Sequence, residues 1–264
     1  MSDALAGRLE ARGLDWIVPA WRGPARVCAF FTTRNGGAST GAAATLDLGT
    51  ASPSADDMAG AIGENRRRVR ALLPSDPVWL AQVHGRDVVV VTGDDVAALR
   101  ESPPEADAAV TRTPQIVLGV RTADCLPVLL AARDGSVLAV AHAGWRGLAA
   151  GVLEAAVAAM GVPARDVACW IGPAIGPAAF EVGADVHATY CAADADASAH
   201  FVAMREGKWL ADLPALARRR LAAAGVTEVD VDGSCTHGDA ERFFSWRRDR
   251  SSGRMALLAW LAPR

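Results

Sequence analysis

Leu126-Pro127-Val128-Leu129-Leu130-Ala131-Ala132-Arg133-Asp134-Gly135-Ser136-Val137-Leu138-Ala139-Val140-Ala141-His142 is the stretch on which the fold turns. Two short, continuously apolar runs flank Asp134-Gly135, a pair suited to a tight turn. Runs of this length, bounded by turn residues, read as strands buried on both faces. The stretch predicts a hairpin, with strands over 126–131 and 137–142. Cys125, just before the first strand, and His142, at the end of the second, are nearly symmetric about the turn. The hairpin therefore brings a thiol and an imidazole to the same end.

Working outward, further strand-like runs cover 26–33, 78–83, 88–92, 116–121, 166–172, 226–231 and 254–261. Ala- and Leu-rich helical patterns cover 56–73, 147–160, 183–193 and 210–224, with Asp56 as an N-cap and Gly161 as a C-terminal stop. Strands cluster between 78 and 142 without long helices among them, which excludes a regular βαβ alternation. The pattern predicts an α+β architecture of mixed β-sheets covered by helices. The Pro/Ser-rich pieces 51–54 and 102–104 are loop-sized, and one domain over 1–264 is the simpler reading.

The chain has 264 residues, of which 51% are hydrophobic and 22% charged, a globular balance. The formal net charge of −3 offers no electrostatic footprint for nucleic acid. No apolar run is long enough to span a membrane. The first twelve residues mix Asp3, Arg8, Glu10 and Arg12, unlike a secretory leader. Cys28, Cys125, Cys169, Cys191 and Cys235 form no CxxC pair, so a reducing cytoplasm is expected. Lys208 is the only lysine and alanine numbers 56, a compositional bias without functional content. Nothing in the composition specifies an oligomeric state.

Three segments place reactive residues at strand ends: Gln82-Val83-His84-Gly85, Arg121-Thr122-Ala123-Asp124-Cys125-Leu126-Pro127, and Ala141-His142-Ala143-Gly144-Trp145-Arg146-Gly147. If His84 joins Cys125 and His142, the three make a His/Cys/His set suited to a tetrahedral zinc with one open position. Such a metal lowers the pKa of its bound water toward 7. The spacings, 41 and 17 residues, match no short metal motif, and a buried Cys or a lone His is more often structural. Asp124, next to Cys125, is a candidate acid/base, although neighbours on a strand point opposite ways. Arg34, in Thr32-Thr33-Arg34-Asn35-Gly36-Gly37, and Arg146, at a helix start, are candidate phosphate ligands. Arg242-Phe243-Phe244-Ser245-Trp246-Arg247-Arg248-Asp249 is a third cationic patch, whose rings either stack on a base or pack. The loop 171–177 shapes a pocket. His187 and His200 read as solvated, and His237 as a loop residue.

At these residues the chain resembles the YfiH family, also called laccase-domain or polyphenol-oxidase-like proteins. The segments are TTRNGG (32–37), QVHG (82–85), TADCLPVLL (122–130), HAGWRG (142–147), IGPAIG (171–176), FEVG (180–183) and FFSWRRD (243–249). They cover nearly the whole chain, leaving the first 25 residues as an extension. The resemblance implies a four-layer α/β/β/α sandwich related to bacterial toxin-type cysteine hydrolases. It implies that His84, Cys125 and His142 are the metal-binding and catalytic trio. It also implies phosphorolysis of adenosine, inosine and methylthioadenosine to free base and a ribose 1-phosphate, with adenosine deamination. Purine nucleoside and phosphate would then be the partners, with zinc, or copper, as the cofactor. Asp47 stands where the family commonly has Asn, and Ala174 where it often has Cys.

Other chemistries are weighed against this. The zinc-deaminase signature H-x-E with P-C-x-x-C is absent, so a deaminase here uses another scaffold. A four-copper oxidase needs many more than the five histidines present, mostly in His-x-His pairs, and none occurs here. A single-copper phenol oxidase fits the ligand types. A metal-free hydrolase with Cys125 as nucleophile, editing peptidoglycan precursors, stays open.

Overall fold

The computed structural model describes residues 2–50, 54–250 and 253–263. Its helices are α1 (Ser2–Glu10), α2 (Ala55–Ala59), α3 (Ala61–Arg70), α4 (Val96–Glu101), α5 (Trp145–Ala150), α6 (Val152–Ala159), α7 (Ala184–Ala193), α8 (Leu213–Ala223) and α9 (Trp246–Asp249). The strands form three sheets. The first contains β1 (Val27–Phe31), β2 (Pro77–Trp79), β5 (Val117–Thr122) and β13 (Met255–Leu261), in the order β1-β13-β5-β2. The second contains β3 (Val88–Val91), β4 (Ala108–Thr111), β6 (Leu126–Ala132), β7 (Leu138–Ala143), β8 (Val167–Ile171) and β12 (Glu228–Val231), in the order β12-β8-β6-β7-β4-β3. The third is small, β10 (Phe201–Arg205), β11 (Lys208–Ala211) and β9 (Glu181–Gly183), in the order β10-β11-β9. Parallel and antiparallel pairs mix in the first two sheets, as expected for an α+β chain.

The expected hairpin forms. Strands β6 and β7 pair antiparallel from Leu126↔Ala143 to Ala131↔Leu138, and Gly135 turns between them at φ 69°. Alternation explains why such strands look uniformly apolar. In β6, Leu126, Val128 and Leu130 enter a core shared with α5, α6 and α8, while Leu129 and Ala131 enter a second core. That second core lies between the two large sheets, where Leu129, Val140 and Trp170 meet Leu118, Val120 and Leu257. On the far face of the first sheet, Phe30 and Trp260 pack with Leu5 and Leu9 of α1 and Val69 of α3. Both faces of each large sheet are therefore covered, and period-two patterning fades into continuous apolar runs.

Several expectations shift. The helix expected over 56–73 breaks at Gly60. Ser54, not Asp56, is its N-cap: Ser54 Oγ accepts the Asp57 N–H and the Asp57 carboxylate accepts the Ser54 N–H, a capping box. Residues 51–53 of the expected loop lie outside the described residues. The helix expected over 147–160 divides at Gly151, whose φ of 96° is left-handed. Strand β4 and the whole small sheet escape the sequence reading, because β4 is short and Ala-rich and β10 is solvent-exposed beyond Phe201. Among the described residues no helix is long and apolar enough to cross a membrane.

Leu129 is fully buried in the core between the two large sheets. Replacing it with Ala removes its packing and leaves a void, which is expected to cost about 2–5 kcal/mol. Equilibrium urea denaturation of Leu129→Ala against the parent measures this directly.

Candidate active site

The polar break Arg121–Leu126 is where the chain leaves β5 of the first sheet and enters β6 of the second. Cys125 therefore sits at the crossing between the sheets. His142 lies one position before the end of β7, opposite Pro127 in the hairpin register. His84 lies on the segment between β2 and β3, at φ 62°. Asp124 takes φ 88°. Two non-glycine residues in the left-handed region within one site mark backbone held by its surroundings.

The three expected side chains converge. One donor atom from each of His84, Cys125 and His142 lies within 4.8 Å of the other two. Cys125 Sγ is 3.9 Å from His84 Nε2, and the two imidazoles meet edge to face with ring centres 4.7 Å apart. Gly144 makes this approach feasible: a Cβ there would fall 2.8 Å from His84 Cδ2 and 2.9 Å from Cys125 Sγ. Tetrahedral zinc with sulfur and nitrogen ligands needs donors roughly 3.5 Å apart. The set stands somewhat wider than that spacing, and its thiolate and imidazole donors suit zinc or copper.

Asp107, a residue the sequence reading missed, organises the site. Its fully buried carboxylate accepts the His142 Nδ1–H at 2.7 Å and the backbone N–H groups of Val83, His84 and Gly85 at 3.1, 3.1 and 2.7 Å. Nδ1 is thereby fixed as a donor and Nε2 is left free to face the other two donors, an arrangement common at metal-binding histidines. Its sequence signal is an acidic residue directly before the apolar run Ala108-Ala109-Val110, which a search restricted to His and Cys passes over.

Electrostatics follow from this geometry. Burial disfavours the Cys125 thiolate, but His142 and His84 outweigh it and bring the thiol down to about 6. Burial likewise disfavours imidazolium at His142, yet the Cys125 thiolate and Asp107 raise it to about 9. Asp107 is held below the usual carboxylate range, because the bonds from His142, Gly85 and Val83 exceed its burial cost. Without metal, the lowered thiol and the raised imidazole favour a Cys125 thiolate paired with a His142 imidazolium near neutral pH. Acid removes it by protonating the thiolate, and alkali by deprotonating the imidazolium.

The trio opens into a cavity of about 1170 Å³. That exceeds the usual range of small-molecule sites, about 300–1,000 Å³. Its lining includes the charged side chains of Arg121, Arg254 and Asp47 and the apolar ones of Trp145, Phe180 and Val182. Arg146 lines it as expected, with its guanidinium 4.4 Å above the Trp145 ring. Ile175 of the loop 171–177 lines it too, and donates its N–H to the Asp124 carbonyl.

Arg34 does not reach this cavity. It donates to the carbonyls of Ala44 and Ala240 and stacks 4.7 Å over Phe244, so its guanidinium ties loops together. Asp124 is also committed elsewhere. Its carboxylate accepts from Thr236 Oγ1, Ser245 Oγ and the Arg247 N–H at 2.7, 3.0 and 2.7 Å, which makes it a clamp rather than a free proton carrier. In the cationic patch, Phe243 and Phe244 are core residues, whereas Trp246 and Arg247 line the cavity. His187 is not solvated as expected but half-buried, stacked on Trp209 at 4.5 Å. All five cysteines are free thiols.

A family model described as multi-copper polyphenol oxidoreductase laccase matches residues 28–262. The chain is 48% identical over 247 residues to a protein of Pseudomonas aeruginosa named as a purine nucleoside phosphorylase, covering 93% of this chain and 98% of the relative. It is 47% identical over 247 residues to the purine nucleoside phosphorylase YfiH of Escherichia coli, with the same coverage. A crystal structure of a Neisseria meningitidis protein superposes with a TM-score of 0.86 at 42% identity, covering 94% of this chain and all of that one.

Asp107→Asn removes the charge that supports imidazolium at His142. In metal-stripped protein, the pH midpoint for alkylation of Cys125 by iodoacetamide, followed by peptide mass spectrometry, is expected to rise from about 6. An unchanged midpoint would show that Asp107 does not act through His142.

Proposed function

Because the chain belongs to the laccase-like family whose relatives include YfiH, we propose that it is a purine nucleoside phosphorylase built on a His84/Cys125/His142 metal centre. The convergence of these three donors beside a cavity with room for nucleoside and phosphate carries the reading. The substrate class is taken as adenosine, inosine and methylthioadenosine, with adenosine deamination as a second activity. We read residues 1–264 as one YfiH-like domain in a four-layer α/β/β/α sandwich of cysteine-hydrolase type. The three cores and the packing of α1 on the first sheet support this. The reading places the chain in the cytoplasm, where the Cys125 thiolate stays reduced.

His84, Cys125 and His142 would hold zinc, or copper, and Asp107 would orient His142 as a positioning residue. A metal in that place supplies Lewis acidity at neutral pH. In phosphorolysis a phosphate oxygen bonds to C1′ of the ribose while the C1′–N9 bond breaks and its electron pair leaves with the base. Trp145 and Phe180 offer apolar walls for the base, and Arg146 an exposed guanidinium for the anion. In deamination, water adds at C6 and ammonia leaves, giving inosine from adenosine.

Incubating adenosine with and without phosphate separates these activities. Adenine and ribose 1-phosphate that form only with phosphate are the expected phosphorolysis products, and inosine without phosphate reports deamination. Absence of all three would overturn the reading. Arg146→Ala is expected to raise KM for phosphate, more at low than at high ionic strength, by removing an exposed charge that attracts the anion, with metal content unchanged.

The thiolate–imidazolium pair held by Asp107 favours one further reading, a cysteine hydrolase acting on a cell-wall precursor. Turnover of such an amide by demonstrably metal-free protein, abolished by alkylating Cys125, would select it. A single-copper phenol oxidase requires copper, rather than zinc, in protein purified without added metal.

A further inference from the structure

Arg121 is unusual among the cavity arginines. It is 7% exposed, yet no carboxylate lies within ion-pair distance of it among the described residues. Its two terminal nitrogens donate to the carbonyls of Gly49 and Leu80, both at 2.9 Å, and its Nε has no hydrogen-bond partner. Its neighbour Thr122 lines the same cavity, and Thr122 Oγ1 is likewise buried without a partner. Arg66 and Arg254 add positive potential at Arg121, and Asp47 is the opposing carboxylate that acts on it. One oxygen of Asp47 is already taken by the N–H groups of Gly49 and Arg254. Burial and the two neighbouring guanidiniums push Arg121 down to about 9, so it stays charged at neutral pH.

Buried charges in proteins are normally paired or hydrogen-bonded to an ion. Carbonyl dipoles orient this guanidinium without neutralising it. Asp47 and the Trp79 ring, 5.5 Å from the guanidinium, compensate only part of this charge, and an anion in the cavity that Arg121 lines can supply the rest. The polypeptide places Arg121 four residues before Cys125, on the strand that leads into the site. Gln82, two residues before His84, is bound to Arg121 through both backbone groups, at 2.8 and 2.9 Å. Arg121 and the trio thus line one cavity, with the Arg121 backbone tied to the segment that carries His84.

We infer that Arg121, with Thr122 beside it, is the buried anchor for the phosphate dianion, and that exposed Arg146 attracts the same ion without holding it. This inference rests on the phosphorylase reading for the identity of the anion. It adds a specific residue pair that neither motif spacing nor exposure singles out.

The test uses inorganic phosphate as the probe and thermal denaturation as the readout. Phosphate is expected to raise Tm of the parent in a saturable way, since a ligand of the native state stabilises it. Sodium chloride at equal ionic strength is expected to give no such rise. In Arg121→Gln the phosphate-dependent rise is expected to vanish, and in Arg121→Lys, which keeps the charge and is the fallback if the Gln variant does not fold, to shrink but persist. Arg146→Ala is expected to retain it. If chloride matches phosphate, or if the rise survives in Arg121→Gln and disappears in Arg146→Ala, the inference is overturned while phosphorolysis stands. Conversely, loss of the phosphorylase reading through absent turnover leaves the binding result interpretable by itself.

Discussion

One buried carboxylate holds the site together. Asp107 accepts three consecutive backbone N–H groups from Val83 to Gly85 and the ring N–H of His142. Its own carbonyl accepts the His142 N–H, and its N–H binds the Asp87 carbonyl. The side chain thus fixes the path of the His84 segment and the tautomer of His142, and the backbone of the same residue joins the ends of β3, β4 and β7. Leaving such a group partly unpaired would be costly in an interior of low dielectric, so its partners are held as a set. The left-handed backbone at His84 is one consequence: the chain bends there to aim successive N–H groups at one acceptor.

Charge is arranged in opposite senses around the trio and around Arg121. Around the trio, every ionised group has a partner: Cys125 faces two imidazoles and Asp107 faces His142. Around Arg121, like charges gather and the counter-charge is incomplete. The trio is a set of donors that could hold a metal ion, and the surroundings of Arg121 are short of negative charge. Asp124 takes part in neither, because Thr236, Ser245 and Arg247 saturate it. Its work is to join the turn before Cys125 to the loops after β12.

The hairpin was legible because two apolar runs and an Asp-Gly turn allow few alternatives. His84, Cys125 and His142 were legible because histidine and cysteine are scarce and these three occupy strand ends. Asp107 was not, since it is one of 30 acidic residues and nothing local separates a buried carboxylate from a solvated one. Arg34 misled for a related reason. Its Gly-rich context fits an anion loop, but the carbonyls of Ala44 and Ala240 that claim it come from distant segments. The breaks at Gly60 and Gly151 were hidden inside helical patterns, where a glycine costs only about 1 kcal/mol and does not by itself end a helix. The small sheet carries too little apolar periodicity to read, with four exposed residues in β10.

Cys125 belongs to neither large sheet but to the short bridge between them, while His142 belongs to one sheet and His84 follows a strand of the other. The spacing of the three donors is therefore a measure of how the two sheets are seated on each other. A shear of one sheet by an ångström would move the sulfur relative to both imidazoles. Interdigitated side chains between the sheets, Leu129 and Trp170 among them, resist that slide. The inter-sheet core therefore helps set the spacing of the three donors, and changes in its packing, remote from the trio, shift the sulfur relative to the imidazoles.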